Sequence, residues 1–235
     1  MLPTRMSLRS SVDPQEKIEL AKKQKLEKEA YENRPFVEYN GEIVYYTTLM
    51  DCAIVCDKLL SEAAASNENY IVGFDLEWPF SFKTGPGKVA VIQISPTLNK
   101  CYVLHVSTLK KLPKALIEFL QHPNVRLSGV NIKNDVRKLA RDFSGFNSDI
   151  LVERCIDIGV MANRIIPTAG RYSMEKLVDR VLVMKINKDR KIRMSQWHVI
   201  PLSKEQQIYA AIDAYMSLLL YYKLKEMQEK LPKEE

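Results

Sequence analysis

Residues 70–78 read YIVGFDLEW, an apolar run that carries two acids, Asp75 and Glu77, near its end. Successive side chains of a strand alternate faces, so these two point the same way. Like charges at the end of an apolar strand repel, and burying them costs free energy unless cations neutralise them. Hard divalent cations that take oxygen ligands, Mg²⁺ or Mn²⁺, supply that neutralisation. Alone, a D-x-E pair is a weak signal that suits two surface acids at a strand end better than a metal site.

The surrounding sequence predicts a mixed α/β fold. Residues 42–47 (EIVYYT) are rich in β-branched and aromatic side chains and read as a strand. Residues 49–65 place apolar side chains at helical spacing. Strands are expected over 88–95 and 100–106, joined by a turn at 96–99, with shorter ones at 126–131 and 155–158. Helices are expected over 113–121, 134–143, 173–182 and 203–229, the last opened by a Ser203–Gln206 capping box. Strands in a row followed by alternating helices and strands make a mixed sheet covered by helices. This domain is expected over 36–230. Residues 1–35 are rich in Lys, Glu and Gln and read as a charged flexible or helical extension that cannot fold alone.

Charge and composition exclude some classes. Lys and Arg outnumber Asp and Glu by 35 to 29, and the net +6 suits an anionic partner without requiring one. No apolar run reaches the ~18 residues of a membrane-spanning helix. The start, MLPTRMSLRS, lacks the apolar stretch of a secretory signal. Cys52, Cys56, Cys101 and Cys155 are scattered and read as free thiols, the first two as helix core. No histidine is spaced with a cysteine or another histidine for zinc, and His105 reads as structural.

Two further motifs carry acids. In GVNIKND (129–135) a strand ends at a small residue and a helix begins, placing Asp135 early in that helix. In YAAID (209–213) positions i and i+4 put Tyr209 and Asp213 on one helix face, and the neighbouring alanines let that helix approach another element closely.

D-x-E on a strand, N-x-x-x-D at a strand–helix junction and Y-x-x-x-D on a late helix, in that order, resemble the DEDDy branch of 3′→5′ exonucleases on the ribonuclease H-like fold. The segments FDLEWPF, GKVAVIQIS, CYVLHVS, GVNIKNDVRKLARDF, IRMSQW and PLSKEQQIYAAIDAY are similar to the Werner syndrome protein exonuclease domain, especially its stand-alone insect form. This similarity runs from about residue 36 to about residue 225. It implies that Asp75, Glu77, Asp135 and Asp213 hold two divalent cations, Mg²⁺ or Mn²⁺, and that Tyr209 orients the attacking water. It further implies DNA as partner, release of 5′-mononucleotides from single-stranded or recessed 3′ ends, a role in DNA repair or replication, a nuclear location and a separate RecQ-type helicase as companion. Leu76, between two ligands, would wedge near the terminal base.

Substrate grip is expected from Lys83, Lys88, Lys133, Arg137 and Arg141, and from a second basic run (Lys185, Lys188, Arg190, Lys191, Arg193), which also suits a solvated loop, followed by Trp197, which suits base stacking and core packing equally. Where vertebrate Werner-type domains carry an aromatic two positions after the third acid, this chain has Arg137, which suits a phosphate contact. No phosphate loop of the ATPase type is present: Val89 follows Gly85-Pro86-Gly87-Lys88, and Phe82 stands at the first glycine position. No second helical domain of the kind carried by ribonuclease D-like RNA enzymes is expected after Lys225. RNA 3′-end processing and a non-catalytic nucleic-acid-binding module remain the alternatives.

Overall fold

The computed structural model describes residues 13–168, 170–187 and 189–231. The expectations for the first residues and for Lys188 lie outside these. The chain divides between Pro35 and Phe36 into two units. In the first, α1 (Pro14–Glu32) is capped by Asp13, whose carboxylate accepts the Gln15 N–H at 3.0 Å. Lys25–Glu29 and Lys28–Glu32 pair along its exposed surface. Such exposed pairs contribute only about 0.3–0.5 kcal/mol each.

The second unit runs β1 (Glu42–Tyr46), α2 (Leu49–Ala65), β2 (Tyr70–Glu77), a short hairpin of β3 (Phe80–Ser81) and β4 (Gly85–Pro86), β5 (Val91–Thr97) and β6 (Lys100–His105). It continues with α3 (Lys114–Gln121), β7 (Val125–Gly129), α4 (Ile132–Asp142), α5 (Ser148–Arg154), β8 (Cys155–Asp157), α6 (Ile158–Ile165), α7 (Met174–Leu177), α8 (Arg190–Arg193) and α9 (Lys204–Glu229). The six-stranded sheet has the order β1-β6-β5-β2-β7-β8. β2 pairs antiparallel with β5 and parallel with β7, and β7 pairs parallel with β8. The mixed sheet covered by helices expected from the sequence is therefore present. No helix among the described residues is long and apolar enough to cross a membrane.

Both sheet faces are buried. Val72, Phe74 and Leu76 of β2 join Cys52, Cys56 and Leu59 of α2 and Leu116 and Phe119 of α3 in one core. On the other face Val91, Cys101 and Val103 meet Trp197 and the Ala210, Ala211 and Ala214 stripe of α9. The stripe lets the helix backbone reach the sheet. The expected capping box starts α9: Gln206 N–H donates to Ser203 Oγ at 3.2 Å, and Ser203 N–H to Gln206 Oε1 at 2.9 Å.

Several boundaries differ from expectation. Residues 85–90 serve the hairpin and its return, so β5 starts at Val91. The helix expected over 173–182 is broken: α7 passes into a π-helical turn over Val178–Leu182 that stops at Val183, with φ 56°. Helices α5 and α6 rest on local caps, Asn147 and Asp157, whose side chains each accept two backbone N–H groups.

Candidate active site

Parallel strands β2, β7 and β8 all end at one edge of the sheet, and the crevice beyond such strand ends is where open α/β sheets take ligands. A cavity of about 460 Å³ opens there. Asp75 and Glu77 share the face of β2 that α9 crosses, since Gly73 on that face abuts Ala214. Asp213 stands one turn after Tyr209 on α9. One carboxylate oxygen from each of Asp75, Glu77 and Asp213 lies within 4.8 Å of the others.

Asp135 arrives by a different route. Asn131 caps α4 in the left-handed region, at φ 56° and ψ 20°, which Asn tolerates better than most residues. That turn swings the chain from β7 into α4 and puts Asp135 in the first helical turn, lining the same cavity. It is not among the three acids whose oxygens meet. The structure thus gathers three of the four expected ligands into one cluster and places the fourth on the same wall.

Electrostatics match this crowding. Burial, then Asp213, Glu77 and Asp135, push the Asp75 carboxyl well above the usual carboxylate range. Burial and Asp213 raise Glu77 likewise, and the Arg193 guanidinium opposes the rise. Burial and Asp157 push Asp135 up to about 7. Burial and three neighbouring acids raise the Tyr209 hydroxyl. Oxygen donors set this close, without a matching number of cations around them, fit hard divalent cations. Asp75, Glu77 and Asp213 would hold such an ion, with Asp135 beside them.

The expected nucleic-acid contacts separate into groups. Arg193 lines the cavity, the one cationic side chain among its described lining residues. Lys191, two positions away, faces a different depression with Asp189 and Gln206. Lys133, Arg137 and Arg141 are exposed along α4, and Lys133 and Arg137 act on Cys155 beside Asp135 and Asp157. Lys83 is exposed on the hairpin, and the Lys88 ammonium sits 3.7 Å from the centre of the Phe143 ring.

Two expectations are corrected. Trp197 is fully buried, donates its indole N–H to Arg193 O at 3.1 Å, and packs 6.0 Å from the Tyr209 ring. It cannot stack on a base; it supports the two residues that reach the cavity. Leu76 lines the cavity but is only 4% exposed, so its bulk belongs to the core and little remains to act as a wedge.

The sequence pattern missed other neighbours of the site. Asp157, at the end of β8 opposite Gly129, is the charged neighbour that raises Asp135. Phe80, Asn134, Ser173 and Met174 also line the cavity. Asp157 could have been noticed as a further acid at the end of a short strand. Phe80 carries no motif of its own.

A model of the family described as 3′-5′ exonuclease matches residues 47–229. A Drosophila yakuba protein named 3′-5′ exonuclease is 47% identical over 205 residues, which cover 87% of this chain and 58% of that protein. The chain therefore spans less than two thirds of the length of this relative. By fold it is similar to the catalytic core of RRP6 from Trypanosoma brucei (TM-score 0.64, 19% identity, 90% of this chain and 56% of that one). It is also similar to Escherichia coli RNase D, an exoribonuclease involved in structured RNA processing (TM-score 0.61, 17% identity, 81% and 45%). These likenesses show the ribonuclease H-like fold.

Proposed function

This chain belongs to the 3′-5′ exonuclease family, and from that premise we propose that it removes 5′-mononucleotides from the 3′ ends of single-stranded or recessed DNA. The observation that carries the proposal is the meeting of Asp75, Glu77 and Asp213 within 4.8 Å at the strand-end cavity, with Asp135 and Tyr209 on its walls. Asp75, Glu77, Asp213 and Asp135 would hold paired divalent cations, which when bound would supply a water of lowered pKa and neutralise the departing 3′ oxygen. Tyr209 holds the attacking water by its hydroxyl, and the buried Trp197 fixes the angle of the Tyr209 ring. Arg193 lines the same cavity, opposes the rise of the Glu77 carboxyl, and would meet the phosphate there.

Support for DNA comes from the Werner-like segments FDLEWPF and PLSKEQQIYAAIDAY, which flank two of the acidic motifs. With them come a role in repair or replication, a nuclear location and a separate RecQ-type helicase as companion. The fold neighbour named as an exoribonuclease favours a second reading, RNA 3′-end trimming. Only the 2′-hydroxyl distinguishes the two substrates. Matched DNA and RNA strands, digested side by side with Mg²⁺ or Mn²⁺, decide between them. Faster release from DNA is expected, and faster release from RNA overturns the DNA assignment.

A further inference from the structure

The hairpin of β3 and β4 projects beside the acid cavity and exposes two aromatic rings. Phe80 lines the cavity and is 43% exposed; Phe82, at the tip, is 85% exposed. Their rings meet edge to face, with centroids 5.4 Å apart. An edge-to-face pair leaves ring faces open for a third flat group. Burying neither ring is unfavourable for a surface that meets only water, and contiguous exposed apolar groups mark interaction sites.

The hairpin is also stiff. Gly87 N–H donates to Pro79 O at 2.7 Å, and Phe80 pairs with Pro86. The buried Lys138 ammonium donates to Gly87 O at 2.6 Å and to Asp142 Oδ2 at 2.8 Å, tying the hairpin base to α4. Gly85, at φ 78°, makes the turn that a side chain would strain. A rigid platform loses little entropy when a ligand settles on it.

Its charge selects the partner. Residues 78–88 (WPFSFKTGPGK) carry Lys83 and Lys88 and no acid, although the cavity beside them is lined by acids. Open aromatic faces next to lysines are the pairing that single-stranded nucleic acid meets, its bases stacking and its phosphates neutralised.

We propose that Phe80 and Phe82 form a stacking platform for unpaired nucleobases of the substrate strand, near the terminus held at the acids. The platform rests on the nuclease assignment and extends it. Stacking is indifferent to base identity, because every base has a π-face, so the platform grips any sequence but requires bases. It would hold a frayed end in single-stranded form.

The test is fluorescence anisotropy with a 5′-labelled single-stranded oligodeoxynucleotide and its counterpart with abasic sites at the 3′ end, in EDTA so that nothing is cleaved. The wild-type protein should bind the abasic strand about tenfold more weakly, as the loss of one or two stacked bases implies. Phe82→Ala should bind both strands alike, at the weaker level, and Phe82→Trp should restore the difference. Equal discrimination by Phe82→Ala and wild type overturns the platform. Hydrolysis of thymidine 5′-p-nitrophenyl phosphate with Mn²⁺ separates this from the parent assignment. Phe82 is not among the residues lining the acid cavity, so Phe82→Ala should slow cleavage of this short ester by less than the roughly tenfold it loses on the strand. If the wild-type protein cleaves neither ester nor strand, the nuclease assignment fails; if it cleaves both and Phe82→Ala is indistinguishable throughout, only the platform fails.

Discussion

A Cβ placed on Gly73 would lie 1.9 Å from the carbonyl oxygen of Ala214. At this point β2 and α9 touch backbone to backbone, with no side chain between them. Asp75 lies two residues beyond the contact on the strand, and Asp213 one residue before it on the helix. The distance between the two acids is therefore set by the absence of a methyl group.

Gly73→Ala should push α9 from the sheet. Overpacking of a core costs ~1–3 kcal/mol, and a backbone obstacle that cannot rotate away puts this case near the top of that range. Urea denaturation should show the loss, and Mn²⁺-dependent activity should fall with it because Asp213 moves from Asp75. An unchanged midpoint with full activity would show that the close approach does not exist.

The acid cluster should weaken the metal-free fold as pH rises. Asp135 is pushed up to about 7 from the usual 3.8, and Asp75 and Glu77 also rise. In the unfolded chain these acids return to ordinary values. Between about pH 4 and pH 7 the folded protein thus holds more protons than the unfolded chain, so this contribution to stability falls as pH rises through the window. Asp75→Asn removes one of the repelling charges. Its melting temperature in EDTA should exceed that of the wild type by a margin that widens from pH 4 to pH 7, and Mn²⁺ should stabilise it less than it stabilises the wild type. A margin that narrows across this range would contradict the electrostatic account.

Trp197 should behave as core. Trp197→Ala is expected to cost about 3–5 kcal/mol in chemical denaturation, the usual range for removing a large buried aromatic. A residue that merely stacked on substrate would leave stability untouched and change only substrate affinity. Finding that second pattern would restore the base-stacking role that its burial now denies.

Much of this architecture was legible in the chain itself. The alternation in YIVGFDLEW put Asp75 and Glu77 on one face, the i,i+4 spacing put Tyr209 and Asp213 on another, and Ala210, Ala211 and Ala214 signalled a helix that comes close. Periodicity of this kind is a local property, so it survives in a linear reading. Contacts made by folding alone are not local. Trp197 followed a basic run and resembled a base-stacking residue, yet its burial depends on α9 and β6 closing over it. Lys191 and Arg193 stand two apart on α8, and positions i and i+2 do not share a helix face, so only Arg193 reaches the cavity. Asp157 acts on Asp135 only because β8 lies beside β7. The helix α5 was missed because a single capping residue, Asn147, and not a long apolar period, defines it.

The most direct measurement follows one DNA strand labelled at either end, incubated with Mg²⁺ or Mn²⁺. The account predicts that a 3′ label leaves at once as a mononucleotide while a 5′-labelled strand shortens stepwise. Asp75→Ala should reduce the rate roughly a thousandfold or more, as losing a ligand of a catalytic metal costs several kcal/mol of transition-state stabilisation. Tyr209→Phe should reduce it about a hundredfold. Release beginning at the 5′ end, or full activity in Asp75→Ala, would contradict the account.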